Sequence, residues 1–275
     1  MRYARGGKAE TLRMDRLLTL AIDIGGSGIK AALLDDKGEI VGERVRVPTP
    51  PAPLGREELV AAIDHAAAPF AAFDRVSVGF PGFVRDGRIV TAPNLGTPLL
   101  AGFDLEGALG RHWGKPVRVA NDADVQGLGA IRGEGVEMVL TLGTGAGTAL
   151  FKDGTLLPHL ELAHHPVSRN KTYDEYLGNA ARAKKGNKAW NKRVARVIEI
   201  LRSLVHFDHL YLGGGNAAHL SLSLPADVSI IPNLDGLLGA IGLWRDAAPS
   251  FPPPSLSSGG EREERGEDGP DGEAI

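Results

Sequence analysis

The stretch Ala21-Ile22-Asp23-Ile24-Gly25-Gly26-Ser27-Gly28-Ile29-Lys30-Ala31-Ala32-Leu33-Leu34 constrains the fold of this chain more than any other. An apolar run enters a glycine turn and a second apolar run leaves it, as two neighbouring strands of a buried sheet would. Glycines let backbone N–H groups approach an anion with no Cβ in the way. Asp23 stands at the entrance of the turn. A bare carboxylate there would repel a phosphate, so its expected partner is Mg2+. The spacing to Lys30, with no Ser or Thr after it, excludes a nucleotide P-loop. By itself the segment also reads as an ordinary glycine-rich β-turn.

The same punctuation recurs. Residues 138–142 run into Gly143-Thr144-Gly145-Ala146-Gly147 and 148–151 return; residues 209–212 run into Gly213-Gly214-Gly215. Each turn can offer N–H donors to an anion. Further strand signals lie at 40–47, 76–80 and 117–120, and helix signals at 57–70, 104–113, from 121 onward, at 190–204 and at 236–245. Strands and helices alternate, so the fold class is α/β. At 275 residues and 43% apolar content, the chain can bury one large core or two lobes. It has no cysteine, which excludes disulfides, thiolate catalysis and Cys-ligated zinc, and fits a reducing interior.

Residues 1–16 read as a loose extension and 249–275 as a disordered, acidic tail. Net charge is −3, yet residues 261–275 alone carry seven acids against two arginines, so the rest is slightly basic. Such a chain is not of a nucleic-acid-binding type. No apolar run approaches the roughly 18 residues that span a bilayer. The expected setting is cytoplasmic, with no membrane partner.

Two further segments carry chemistry. Val119-Ala120-Asn121-Asp122-Ala123-Asp124 ends a strand and opens a helix. Asn121 or Asp122 suits a plain N-cap; equally, Asp122 suits a general base, with Asn121 holding a substrate hydroxyl. In Glu161-Leu162-Ala163-His164 a carboxylate and an imidazole suit paired sugar hydroxyls, or stand as an exposed acid and a satisfied histidine. His164-His165 lacks a cysteine and a third ligand, so no zinc site is expected.

Five segments together carry a family resemblance. Asp23-Ile24-Gly25-Gly26-Ser27, Gly79-Phe80-Pro81-Gly82, Asn121-Asp122-Ala123, Leu142-Gly143-Thr144-Gly145 and Glu161-Leu162-Ala163-His164 resemble the ROK sugar kinases in order and spacing. The resemblance spans residues 18–245. It implies a two-lobed, actin-like fold of ribonuclease-H type, with the sugar in the central cleft. One lobe would be 17–119, joined by the last helix (236–246), and the other 120–235. Asp122 would be the catalytic base. Sugar contacts would fall on Gly82, Asn94, Asn121, Asp122, Glu161 and His164. The phosphate donor would lie against Asp23, Gly25, Gly26, Ser27, Thr144 and Gly145, with Gly214 in the third turn. Lys30 would help there or serve its strand. A homodimer is the family's common assembly. The family's sugar-sensing repressors carry an N-terminal DNA-binding module, for which the 16 residues before the first strand are too few.

There are two departures. Ala163 replaces the family's usual glycine, and the Cys-rich zinc motif after the histidine is absent, so His164 must be oriented otherwise. A glutamate that follows that motif would have its counterpart at Asp174 or Glu175, and Asp174 is taken as the sugar contact. The departures, with Val45-Arg46-Val47-Pro48-Thr49-Pro50 and the segment 184–194, resemble the polyphosphate glucokinase branch. That resemblance implies transfer from inorganic polyphosphate to the 6-hydroxyl of glucose, or of mannose. ATP remains the alternative donor. At about 100° per residue, Trp190, Val194, Val197, Leu201 and Leu204 share one helix face. Lys185, Lys188, Lys192 and Arg196 share the other. The cationic face suits a linear polyanion or is simply solvated.

Overall fold

The computed structural model describes residues 17–231 and 237–245. The extension 1–16, the tail 249–275 and the outer ends of the expected last helix lie outside the described residues. The chain opens with an antiparallel meander, β1 (Thr19–Ile24), β2 (Ile29–Leu34) and β3 (Ile40–Val47). β1 is buried along its whole length, which explains its continuous rather than alternating apolar run. Helix α1 (Arg56–Ala67) begins at Gly55, whose N–H donates to the Glu58 carboxylate at 2.8 Å. It ends just before Pro69 and returns the chain to β4 (Arg75–Phe80), parallel to β1. A small hairpin, β5 (Val84–Arg85) with β6 (Arg88–Ile89), and helices α2 (Thr97–Leu100) and α3 (Leu105–Trp113) precede β7 (Val117–Asn121), parallel to β4. The sheet order is β3-β2-β1-β4-β7.

Helix α4 (Asp122–Leu128) follows β7 directly. The second half repeats the first half's topology. β8 (Val136–Leu142), β9 (Ala146–Lys152) and β10 (Thr155–Leu156) form an antiparallel meander. A hairpin, β11 (Pro166–Ser168) with β12 (Lys171–Thr172), leads to α5 (Tyr173–Leu177), α6 (Asn179–Lys185) and α7 (Asn187–Val205). β13 (His209–Gly213) and β14 (Val228–Ile230) complete a sheet of order β10-β9-β8-β13-β14, with β8, β13 and β14 parallel. The β1–β2 and β8–β9 glycine turns therefore occupy equivalent places in two equivalent sheets. This is the two-lobed α/β architecture that the resemblance implies.

Each sheet has its own core. Leu20, Ile22, Leu59, Ile63, Val78 and Phe80 lie in the first; Met138, Leu140, Trp190, Val194 and Leu210 lie in the second. Between the sheets sit α4 and a 3-10 segment, Leu238–Trp244, joined by Ala21, Ala32, Leu34, Val125, Leu237 and Ala240. The Trp244 indole donates to the Ser77 hydroxyl, which donates to the Ala240 carbonyl, fastening the segment to β4. The last helix expected from the sequence is thus a 3-10 segment, whose two glycines weaken an α-helix.

The basic helix also needs correction. Gly186, at φ 74°, breaks the chain between α6 and α7, so Lys185 does not share a helix with Lys188 and Lys192. Trp190, Val194, Val197 and Leu201 are buried as their spacing requires. Leu204, in the last turn beyond that core, is 59% exposed. No helix among the described residues is long and apolar enough to cross a membrane.

Candidate active site

A cleft of about 860 Å3 runs between the lobes, and both sheets present their glycine turns to it. Asp23 is the penultimate residue of β1 with its carboxylate only 12% exposed, and the Lys30 ammonium donates to Asp23 Oδ2 at 3.1 Å. The turn itself closes with Gly25 N–H donating to the Gly28 carbonyl at 2.9 Å, while the Thr49 hydroxyl donates to the Gly25 carbonyl at 2.6 Å. Asp23, Gly25, Gly26 and Lys30 line the cleft. Ser27 is exposed at the tip of the turn and is not among the lining residues. In the second lobe Thr144 and Gly145 line the cleft from the equivalent turn. Gly214 and Gly215 join them from the end of β13. Gly214 has φ 82°, and a Cβ there would strike the Leu142 backbone, so glycine is required where the chain leaving β13 passes close to the end of β8.

Asp122 is the first residue of α4, at the floor of the cleft. Asn121 is the N-cap: its side-chain oxygen accepts the Ala123 N–H at 2.8 Å, and its NH2 donates to the Gly82 carbonyl at 3.0 Å. The cap and a position facing the cleft are therefore compatible. Asn121 fixes the start of the helix, ties it to the Pro81-Gly82 turn and still faces the cleft. Burial, and then the negative charge of Asp23, push the Asp122 carboxyl up to about 7. A carboxylate tuned near neutrality is a better base than one with its ordinary value.

Opposite, Glu161, Ala163 and His164 line the cleft with Asn94 and Gly82. Asp174 accepts the Ala146 N–H at 2.7 Å, and its own N–H donates to the Ala163 carbonyl at 3.1 Å, so it joins the second glycine turn to the Glu161–His164 segment. Burial raises its pKa. Of the two acids considered at this place, Asp174 faces the cleft. Glu175 instead forms a capping box with Thr172 at the start of α5.

Lys185, Lys188 and Lys192 are exposed and are not among the residues lining the cleft. Helical periodicity identified a polar face but carried no information on which way it points.

A family model described as the ROK family matches residues 19–165, more than half of the chain. The chain belongs to the ROK family. It is 30% identical to a polyphosphate glucokinase of Mycobacterium tuberculosis, over 80% of this chain and 88% of that one. Among solved structures it is similar to an inorganic polyphosphate/ATP-glucomannokinase from Arthrobacter sp. strain KM. The TM-score is 0.72 and the identity 30%, over 82% of this chain and 96% of that one. A ROK family glucokinase from Streptomyces griseus, in complex with glucose and AMPPNP, shares the fold at a TM-score of 0.65 and 22% identity. That match covers 82% of this chain and 97% of the other.

Two groups in this ROK chain escaped the sequence reading. Arg44, Arg46, Gln126 and Thr141 line the cleft. Cross-strand pairing sets Asp23 beside Lys30 and Lys30 beside Arg46, and Arg44 is two residues along on β3. The strand register reveals this row, because spacing along the chain does not say which residue of β3 lies beside Lys30. The second group is His159 with Asp124, both buried. The alternation His159-Leu160-Glu161 in a proline-flanked segment was the available signal.

Proposed function

We propose that this chain is a polyphosphate-dependent glucokinase, transferring a phosphoryl group from inorganic polyphosphate to the 6-hydroxyl of glucose. One observation carries the reading: Asp122, tuned to about 7, stands where the sugar-suited edge meets two phosphate-suited glycine turns. The glucose hydroxyl would sit against Asp122, with other hydroxyls on Asn121, Glu161, His164, Asp174 and Asn94. As the oxygen bonds to the terminal phosphorus, the bond to the bridging oxygen of the chain breaks. The hydroxyl proton passes to Asp122 and the shortened polyphosphate leaves with the electron pair. The Gly25 N–H is engaged by the Gly28 carbonyl, so the N–H groups of Gly26, Thr144 and Gly145 would balance charge on the transferring group. Closure of the lobes would keep water from the donor.

Mg2+ suits the donor set. Asp23 and Asp122 both face the cleft, near enough for Asp23 to raise the pKa of Asp122. No cluster of three or more His, Asp or Glu residues able to hold a metal occurs among the described residues. Mg2+ is commonly held by one or two carboxylates, with water and substrate phosphates completing its shell. Asp23 would hold it, and when bound it would neutralise phosphate charge.

The names of the similar proteins support polyphosphate as donor. So does the row Lys30, Arg46 and Arg44, which leads from Asp23 toward β3, the edge strand of its sheet. A linear polyanion can follow such a row, which replaces the α7 lysines as the expected donor track. Arg44→Gln/Arg46→Gln should raise the polyphosphate KM and flatten its salt dependence, leaving the glucose KM unchanged. Lys188→Gln/Lys192→Gln should change neither. Steady-state kinetics at two salt concentrations checks both; the opposite ranking restores the α7 face. ATP is the second reading, favoured by Gly214 and Gly215 in the cleft lining. Mannose, differing from glucose at one hydroxyl, is the second acceptor to assay, and a homodimer is the expected assembly.

The acceptor is tested by the product. Wild-type protein with glucose, Mg2+ and long-chain polyphosphate should yield sugar phosphorylated on the 6-oxygen. Phosphorylation at another oxygen, or none, contradicts the reading.

A further inference from the structure

His159 belongs to none of the roles above, yet its side chain is buried beside the cleft. Its imidazole is 6% exposed. Nδ1 lies 3.0 and 3.1 Å from the two carboxylate oxygens of Asp124 on α4. Nε2 faces Glu161 Oε2 at 3.8 Å. The ring stacks on Phe83, from the segment after β4, at 5.4 Å between centroids, and the Arg85 guanidinium lies over that same Phe83 ring at 5.2 Å. Nδ1 is hydrogen-bonded to Asp124, while Nε2 faces Glu161 at ion-pair rather than hydrogen-bond distance. Carboxylates on both sides of the ring favour imidazolium. Burial alone would lower its pKa; the hydrogen bond to Asp124 and the carboxylates of Asp124 and Glu161 outweigh that and push it up to about 9. The same contact holds the Glu161 carboxyl below its usual value.

Asp124 lies two residues after the base Asp122, and Glu161 lies on the sugar-suited edge. We infer that His159 is a positioning residue: its imidazolium ties Glu161, through Asp124, to the helix that carries the base. The acceptor-binding carboxylate and the base are thereby held in one register. The inference rests on the reading of this edge as the sugar site. His159 need not touch the sugar; it acts through Glu161. The charged groups facing it are Asp124 from α4 and Glu161 from its own segment, with Asp122 felt through space and Arg85 behind Phe83.

His159→Leu should raise the glucose KM and Kd by about tenfold to a hundredfold, the loss expected for a hydrogen-bonded charge. kcat at saturating glucose should change far less. His159→Gln, which keeps donors, should recover part of the affinity. In the wild type, glucose affinity should hold near pH 7 and fall as pH rises through about 9, where the imidazolium loses its proton. In the Gln variant that alkaline fall should vanish. Nitrogen NMR of the wild type should show both ring nitrogens protonated at pH 7. Steady-state kinetics, glucose titration and that spectrum make the test. Unchanged glucose affinity in a folded Leu variant, with wild-type turnover present, overturns the role of His159 alone. If the Leu variant does not fold, a wild-type glucose affinity that stays flat to pH 10, or a neutral ring at pH 7, overturns it equally. Absence of glucose phosphorylation by wild type overturns the sugar-site reading, and this role with it.

Discussion

Asp122→Asn should lower kcat by about 10^3- to 10^4-fold, the upper part of the range for a general base, while glucose still binds within a few-fold of wild-type affinity. Asn preserves the shape and a hydrogen-bonding oxygen but cannot accept the hydroxyl proton. Single-turnover kinetics and glucose titration separate the two effects, and retained turnover removes Asp122 from the base role. The wild type should show an acid limb in kcat/KM near pH 7, because the base must be ionised and its carboxyl is raised to about 7. Stability should move the other way. The carboxyl titrates at 3.8 before perturbation and at about 7 in the folded protein, so folding takes up a proton between those values. Its contribution is present at low pH and is lost as pH rises through about 7. The Asn variant should therefore melt above the wild type at pH 8 and match it at pH 4. A difference that is independent of pH would contradict the raised pKa.

Gly239→Ala should be the most destabilising single methyl addition. Gly239 lies in the 3-10 segment wedged between the sheets, and a Cβ there would drive into the Val125 carbonyl, with the Gly129 N–H close behind. Both obstacles are backbone of α4 and its C-terminus, so no rotamer change relieves them. Overpacking of this kind costs about 3 kcal/mol, or about 6–12 °C in Tm for a chain of this size. Activity should fall as well, because the helix that must shift begins with Asp122. Gly110→Ala is the control: in α3 its Cβ meets only ordinary contacts at 3.6 Å, and alanine favours the helix. Its Tm should hold or rise. Gly239→Ala melting with the wild type would show that α4 is not pinned by this segment.

What could be read from the sequence was what is local. β1, β2, β8 and β13 announce themselves as apolar runs broken by glycine, and the buried face of α7 follows its helical period from Trp190 to Leu201. The cleft gathers Asp23, Asn121, Asp122, Glu161 and His164, which three local motifs had singled out. Two-residue strands such as β5 and β6 are too short to carry a period. The direction of the Lys188 and Lys192 face depends on how α7 docks, not on its own residues. The row from Asp23 to Arg46 exists only once three strands are in register. His159 meets Asp124 only after β8, β9 and β10 have folded back over α4. A histidine in a proline-flanked loop gives no local sign of the carboxylate it will find.

The measurement that bears most directly on the proposed activity is glucose 6-phosphate formation by the purified protein with Mg2+, comparing kcat/KM for long-chain polyphosphate with that for ATP. Polyphosphate well above ATP is the expected result. Turnover with ATP alone would contradict it, returning the Lys30–Arg46–Arg44 row to a solvated edge and moving donor recognition to Gly214 and Gly215.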